Sequence, residues 1–263
     1  MNILDTIERF GKFLIDTTER WGRSWIFLAR SLVALIRPPY RPYLYLTQMS
    51  QIGANSAVVI ALIAVFTGAV LAVQGEYTLS KFGANAYTGP MVALSLIREL
   101  GPVLTALMVI GRAGSAVTAE LGIMRITEQI DALRSMAVDP IKYLMAPRLF
   151  AGLVAMPLLC GLFNVLGIFG GYVVAVGLLG LSAGTFMSQI EAAVDLVDIT
   201  SGFIKAGVFG LIFGWVSCYK GYTCGFGAQG VNKATTQSVV TASVAVLIVD
   251  YFLTSVLTRV FMQ

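Results

Sequence analysis

Arg98 and Glu99 stand side by side in an apolar run from Met91 to Ile110, and Gly101-Pro102 follows at once. Lys205 and Asp250 interrupt two further apolar stretches. A charge at the centre of a membrane helix costs about 2.5–3.5 kcal/mol on insertion scales, so a chain keeps one there where it faces protein, water or a substrate path. The simplest alternative is a helix that starts after Pro102 and leaves the Arg98–Glu99 pair among headgroups. At about 1.5 Å of rise per residue, Glu99 and Asp250 both fall near mid-membrane and Lys205 lies nearer the outer end. Opposite charges at similar depth suit either of two uses: ion pairs between helices, or a polar lining for a path or headgroup. Spacing alone leaves both open.

Catalytic and metal chemistry find little support. The chain has no histidine, which removes the commonest metal ligand and the usual proton relay near neutral pH. It holds no H-E-x-x-H and no G-x-x-x-x-G-K-[ST] phosphate loop, so it does not bind ATP by that route. Cys160, Cys218 and Cys224 lack metal-ligand spacing and read as free packing residues. No metal site and no cofactor of its own are expected.

The elements that must position these charges are membrane helices. Of 263 residues, 57% are hydrophobic and only 12% charged, and mean hydropathy is +0.81. Soluble domains carry about 25% charged residues. Long uncharged runs without short-period alternation exclude an outer-membrane barrel. The expected fold is an all-α integral membrane protein of one domain, 1–263. Five spans are expected at about 52–73, 89–113, 149–179, 199–219 and 239–257. Residues 1–41 read as an interfacial helix. Ile3, Ile7, Phe10 and Leu14 repeat at helical spacing, Trp21, Trp25 and Phe27 favour the interface, and Arg37-Pro-Pro39 ends it. No cleavable signal peptide is expected, because charges interrupt residues 1–23.

Loop charges orient the spans. Arg125, Arg134, Lys142 and Arg148 mark the stretch 120–148 as cytoplasmic, and Glu191, Asp195 and Asp198 place the next loop on the far side. The charge-free run 149–190 is therefore read as one crossing. The N-terminal 41 residues carry seven Lys and Arg. The N-terminus is thus expected inside and the C-terminus outside. In the cytoplasmic stretch, residues 124–138 read as a short amphipathic helix. Ile126, Ile130, Leu133 and Ala137 lie at helical spacing, and Asp139-Pro140 stops the run. Such a helix lies on the membrane or docks in a partner's groove. Gly167 with Gly171, and Gly210 with Gly214, permit close helix approach, with packing inside the chain the simplest use.

At these residues the chain resembles the MlaE (YrbE) family of ABC-transporter permeases. The strings are Ala93-Leu-Ser-Leu-Ile-Arg-Glu-Leu-Gly-Pro102, Gly111-Arg-Ala-Gly-Ser115, Ala119-Glu-Leu-Gly122, Thr127-Glu-Gln129, Met136-Ala-Val-Asp-Pro140 and Gly230-Val-Asn-Lys-Ala-Thr-Thr236. The resemblance implies a homodimeric inner-membrane permease that moves phospholipids between inner and outer membranes and maintains outer-membrane lipid asymmetry. It implies a separate cytoplasmic ABC ATPase that uses ATP, an STAS-domain protein bound to that ATPase, and a periplasmic MCE-domain ring; nucleic acid is not among the partners. It assigns ATPase coupling to Thr127, Glu128, Ile130, Asp131, Leu133, Arg134 and Asp139. It places Glu99, Lys205 and Asp250 near a lipid cavity, with Arg98, Leu71, Tyr77 and Leu100. A scaffold that anchors a ring or ATPase would not need mid-membrane charges. A proton-coupled carrier would use Glu99 and Asp250 as proton sites.

Overall fold

In hydrocarbon a helix satisfies every backbone donor and acceptor within itself. The chain meets that demand throughout: the structure, a computed structural model, contains helices and no strand among the described residues. It describes residues 3–36 and 41–261, with most side chains before Trp21 outside the description. The expected apolar stripe of Ile3, Ile7, Phe10 and Leu14 and the Arg37-Pro-Pro39 stop therefore lie outside the described residues.

The helices are α1 (Ile3–Ile36), α2 (Pro42–Ser80), α3 (Asn85–Ile126), α4 (Gln129–Ser135), α5 (Ile141–Gly177), α6 (Ala183–Ala193), α7 (Leu196–Tyr222) and α8 (Gly227–Phe261). By length and composition, α2, α3, α5, α7 and α8 are able to cross a membrane. Four of these five outrun the expected apolar stretch at both ends, because a helix keeps its own hydrogen bonds through the polar headgroup layer. At α5 the gain is at the start, and the whole run from Ile141 to Gly177 is one helix. The stretch 120–148, expected as a charged loop, is largely helical. Glu120 lies in α3 and Arg148 in α5, where the buried Arg148 pairs with Glu120 at 2.8 Å and donates to the Leu144 carbonyl at 2.9 Å.

The amphipathic helix expected at 124–138 is broken. Ile126 closes α3, and Glu128 turns the chain with φ 59° before α4 begins. The hydrophobic spacing ran across that turn and so joined two elements into one. Far from the α4 end, α6 fills part of the expected outer loop. Ser182 caps it, and Phe186 is buried with its ring 5.8 Å from that of Tyr172.

The bundle closes on small residues. A Cβ on Gly210 would lie 2.3 Å from the Gly152 carbonyl oxygen, so α5 and α7 touch backbone to backbone. Gly167 and Gly171 face α2 within the chain, and Gly214 faces Leu149. Phe163, Phe209, Phe213, Ile60, Leu96 and Ile110 fill the core between them. α1 docks on one end of this bundle. Phe27 and Leu28 are buried, the Trp25 and Trp215 rings lie 4.7 Å apart, and Trp215 Nε1 donates to the Ser24 carbonyl at 3.0 Å.

Candidate functional site

The backbone of α3 is irregular where the charges sit. Residues Leu96–Leu100 form a π-turn, with Pro102 just beyond it. Proline lacks the N–H that would bond the carbonyl four residues back, and its ring crowds that carbonyl. The residue four back is Arg98. The widened turn admits α7 closely: a Cβ on Gly202 would lie 2.4 Å from the Ile97 carbonyl oxygen.

Lys205, from α7, is buried at the centre of the site. Its ammonium donates to Glu99 Oε2 at 2.7 Å, to Thr254 Oγ1 at 2.7 Å and to the Arg98 carbonyl at 3.0 Å. Asp250 Oδ1 lies 3.2 Å from the same nitrogen. That contact is an ion pair by distance without hydrogen-bond geometry, and Oδ1 has no directed donor. Thr254 donates to the Asp250 carbonyl at 2.9 Å, which fixes its hydroxyl to accept from Lys205. One ammonium thus stands between two carboxylates. Glu99 keeps 43% of its side chain exposed, against 3% for Lys205 and 18% for Asp250. The glutamate is the member that faces open space.

Arg98 turns aside from this cluster. Its guanidinium holds Asp198 Oδ1 from Nε at 2.7 Å and from Nη2 at 2.6 Å. Asp198 is buried, and its other oxygen accepts from the Asp195 N–H at 3.1 Å, closing a capping box at the start of α7. Arg98, Glu99 and Lys205, but neither Asp198 nor Asp250, border a cavity of about 380 Å³ lined also by Leu94, Val197 and Thr254, among others. Its wall combines apolar side chains with a guanidinium, an ammonium and a carboxylate, which suits a molecule with both a charged and a greasy part.

Asp198 and Thr254 were not singled out in the sequence. Asp198 counted only as an acid of the outer loop, yet it lies seven residues before Lys205 and so on the same helical face. Thr254 lies one turn beyond Asp250 in the same way. Leu71, Tyr77 and Leu100 do not line this cavity. Leu71 and Leu100 are half-buried against the core. Tyr77 is exposed near the end of α2, with the Lys81 ammonium 4.2 Å from its ring centre.

The residues expected to couple to an ATPase divide into two sets. Ile130 is fully buried and Leu133 partly so, packed in a cluster with Phe27, Leu121, Met145 and Cys218. The apolar stripe thus holds α4 to its own bundle and is not offered to a partner. Asp131 pairs with Arg125 and Arg134, both at 3.1 Å, and Arg134 donates to the Tyr222 hydroxyl. Thr127, Glu128, Asp131, Arg134 and Asp139 are exposed. Asp139 accepts the Ile141 N–H at 2.9 Å and so anchors the start of α5. The outward face of α4 is polar, and Met136, 64% exposed, is its apolar tip.

Gly180-Leu-Ser-Ala-Gly184 has the spacing of a serine-hydrolase elbow. No histidine exists to activate it, and the Ser182 hydroxyl caps α6 through the Thr185 N–H. No group of metal-ligating side chains occurs among the described residues.

Residues 45–256 match the family model described as "Permease MlaE". The chain belongs to the MlaE permease family. It is 42% identical over 258 residues to the "Intermembrane phospholipid transport system permease protein MlaE" of Haemophilus influenzae, covering 97% of this chain and 98% of that protein. It is 41% identical over 258 residues to a "Probable ABC transporter permease protein" of Rickettsia bellii, covering 98% of this chain and all of that one. It is also 37% identical over 210 residues to "Protein TRIGALACTOSYLDIACYLGLYCEROL 1, chloroplastic" of Arabidopsis thaliana, covering 80% of this chain and 60% of that protein. Membership places the π-turn, the Lys205 cluster and the α4 turn in a permease of ABC type.

Proposed function

We propose that the chain is the membrane-spanning permease of an ABC system that moves phospholipids between the inner and outer membranes. It works as a homodimer in the inner membrane, with its N-terminus cytoplasmic and its C-terminus periplasmic. A separate ATPase hydrolyses ATP, an STAS-domain protein binds that ATPase, and an MCE-domain ring stands on the periplasmic side. The observation that carries the proposal is the mixed wall of the 380 Å³ cavity, where Glu99 and Arg98 remain partly open beside apolar Leu94 and Val197. A phospholipid presents the matching pair of a charged headgroup and an acyl chain.

Other observations support parts of the proposal. A system driven by ATP needs a partner, since the sequence holds no phosphate loop. A homodimer agrees with α8, which buries only 11% of its most apolar stretch within the chain, against 44–50% for α3, α5 and α7. The orientation follows from the basic residues near the α4 end. Glu99, Lys205 and Asp250, with Arg98, are assigned to the lipid path, and the exposed residues of 127–139 to ATPase coupling. A passive scaffold has no use for an ammonium and two carboxylates at membrane depth, which are costly to bury.

The test is reconstitution of the purified complex with labelled phospholipid, with and without ATP. ATP-dependent lipid movement is the expected result. Movement driven by a proton gradient and indifferent to ATP would replace the proposal with a proton-coupled carrier, and no movement would favour the scaffold.

A further inference from the structure

A second cavity is larger than the one beside Lys205. It holds about 940 Å³ at the opposite end of α7, where α1, α7 and α8 meet near α4. Lys205 and Lys220 are separated by about 22 Å along α7, at 1.5 Å per residue. Five cations line it: Arg23, Arg30, Arg134, Lys220 and Lys233. Among the described residues no aspartate or glutamate lines it. Two of the five are partly neutralised from outside, Arg23 by Glu19 at 2.6 Å and Arg134 by Asp131 at 3.1 Å. Arg30 and Lys233, both exposed, add two further positive charges, so the described wall is basic. Its remaining wall is apolar and aromatic, with Phe27, Ile141, Tyr219 and Ala234.

Like charges around one space attract an anion, and their exposure to solvent keeps the repulsion between them small. The family relationship and the transport reading leave this wall without a role. We propose that the cavity binds the phosphate of an anionic phospholipid, which sits as a resident lipid at the seam of α1, α7 and α8. A lipid fits better than a soluble phosphate for two reasons. The cavity opens beside Ile26, 56% exposed, and the same helix exposes Trp21 and Trp25, a surface suited to the headgroup–acyl boundary. Its mixed walls also provide for a glycerol and the first acyl carbons as well as a phosphate. The lipid ties α1 to α7 and α8, which share the cavity wall with it. That the lipid comes from the cytoplasmic leaflet, whose surface attracts basic clusters, rests on the orientation proposed above. The binding itself does not.

The protein carries its own reporter. Cys224 lines the cavity and is partly exposed, whereas Cys160 and Cys218 are buried. Burial raises the Cys224 thiol above its ordinary value, and Arg125 pulls it back down, so labelling is best run at mildly alkaline pH. The full chain is placed in nanodiscs, which expose both faces, made of phosphatidylcholine with or without phosphatidylglycerol. The rate of maleimide labelling at Cys224 is then followed, and co-purified lipid is read by native mass spectrometry. Phosphatidylglycerol should slow labelling several-fold and remain bound to the chain. Each basic residue near a membrane surface contributes about 1 kcal/mol, or about fivefold in affinity. R30Q and K233Q should therefore each shift half-protection to about fivefold more phosphatidylglycerol, and the double variant should shift it about 25-fold. R259Q, at the other end of α8, removes the same charge and should change nothing. A thermal melt on each variant checks folding, and since Arg30 and Lys233 are exposed the melts should match the parent's. Equal labelling with and without phosphatidylglycerol would overturn the proposal. So would equal protection by inorganic phosphate at matched ionic strength in phosphatidylcholine, which would mark a site for a soluble anion. Protection by the ATPase alone, lost in R30Q/K233Q, would instead assign the cavity to an acidic protein surface. None of these outcomes depends on lipid transport.

Discussion

The Lys205 ammonium donates to the main-chain carbonyl of Arg98 at 3.0 Å, at the point of α3 where Pro102 has removed that carbonyl's helical donor. The proline and the lysine answer each other. One opens a backbone acceptor at membrane depth, and the other fills it with a charge that also gathers Glu99 and Asp250. Irregular backbone inside a membrane is tolerated where protein or a cavity surrounds it, and here both do.

Pro102→Ala tests this relationship. The restored N–H competes with Lys205 for the Arg98 carbonyl and favours a regular α-helix through Leu96–Leu100. The melting temperature is expected at or above the parent's, with lipid transport reduced. Parental transport would show that the π-turn is dispensable.

Glu99→Ala and Lys205→Met should separate transport from stability. After Glu99→Ala the ammonium keeps Asp250, Thr254 and the Arg98 carbonyl, and the lost partner was 43% exposed. The stability cost is then small, about 1 kcal/mol or less, while transport should fall. Lys205→Met leaves two carboxylates facing each other without their cation, a loss of about 3–5 kcal/mol. It should lower expression and melting temperature, and adding Glu99→Gln and Asp250→Asn should restore the fold but not transport. Full lipid transport by a well-expressed Glu99→Ala variant would refute its place on the path.

Arg98 and Asp198 should couple in a double-mutant cycle. Asp198 is buried and Arg98 is 38% exposed, so solvent screens part of the pair. A coupling of about 1–2 kcal/mol is expected from thermal unfolding of Arg98→Met, Asp198→Asn and the double variant. Coupling near zero would show that the contact merely fills space.

At α4 the buried and exposed residues should behave differently. Ile130→Ala empties a fully buried position and should cost about 2–4 kcal/mol, with ATPase binding lost only because α4 loosens. Glu128→Lys changes an exposed side chain and should weaken ATPase co-purification at an unchanged melting temperature. Normal co-purification with normal transport in Glu128→Lys would remove it from the docking surface. Ala137 has φ 59° without being glycine, so Ala137→Gly should raise stability by about 1 kcal/mol.

Orientation is open to direct labelling. In a cysteine-free background, single cysteines at Gly184 in α6 and at Phe226 before α8 occupy exposed positions. They should react with an impermeant maleimide from opposite sides of the membrane. Reaction of both from one side would overturn the proposed topology.

The sequence by itself determined the class of the protein. Fifty-seven per cent hydrophobic residues in long charge-free runs admit helices and little else in a bilayer. The strings from Ala93 to Pro140 carried the resemblance, and the Arg98–Glu99 pair with its Gly-Pro neighbour pointed to the site, because isolated charge in an apolar run is legible without any structure. Tertiary structure decided the partners. Lys205 meets Glu99 across 106 positions of chain and Thr254 across 49, separations over which one-dimensional periodicity says nothing. Asp198 looked like a loop acid until α7 turned it towards Arg98. Ile130 and Leu133 looked like a docking stripe because spacing gives a helix its apolar face, while only packing shows whether the chain has already covered that face itself.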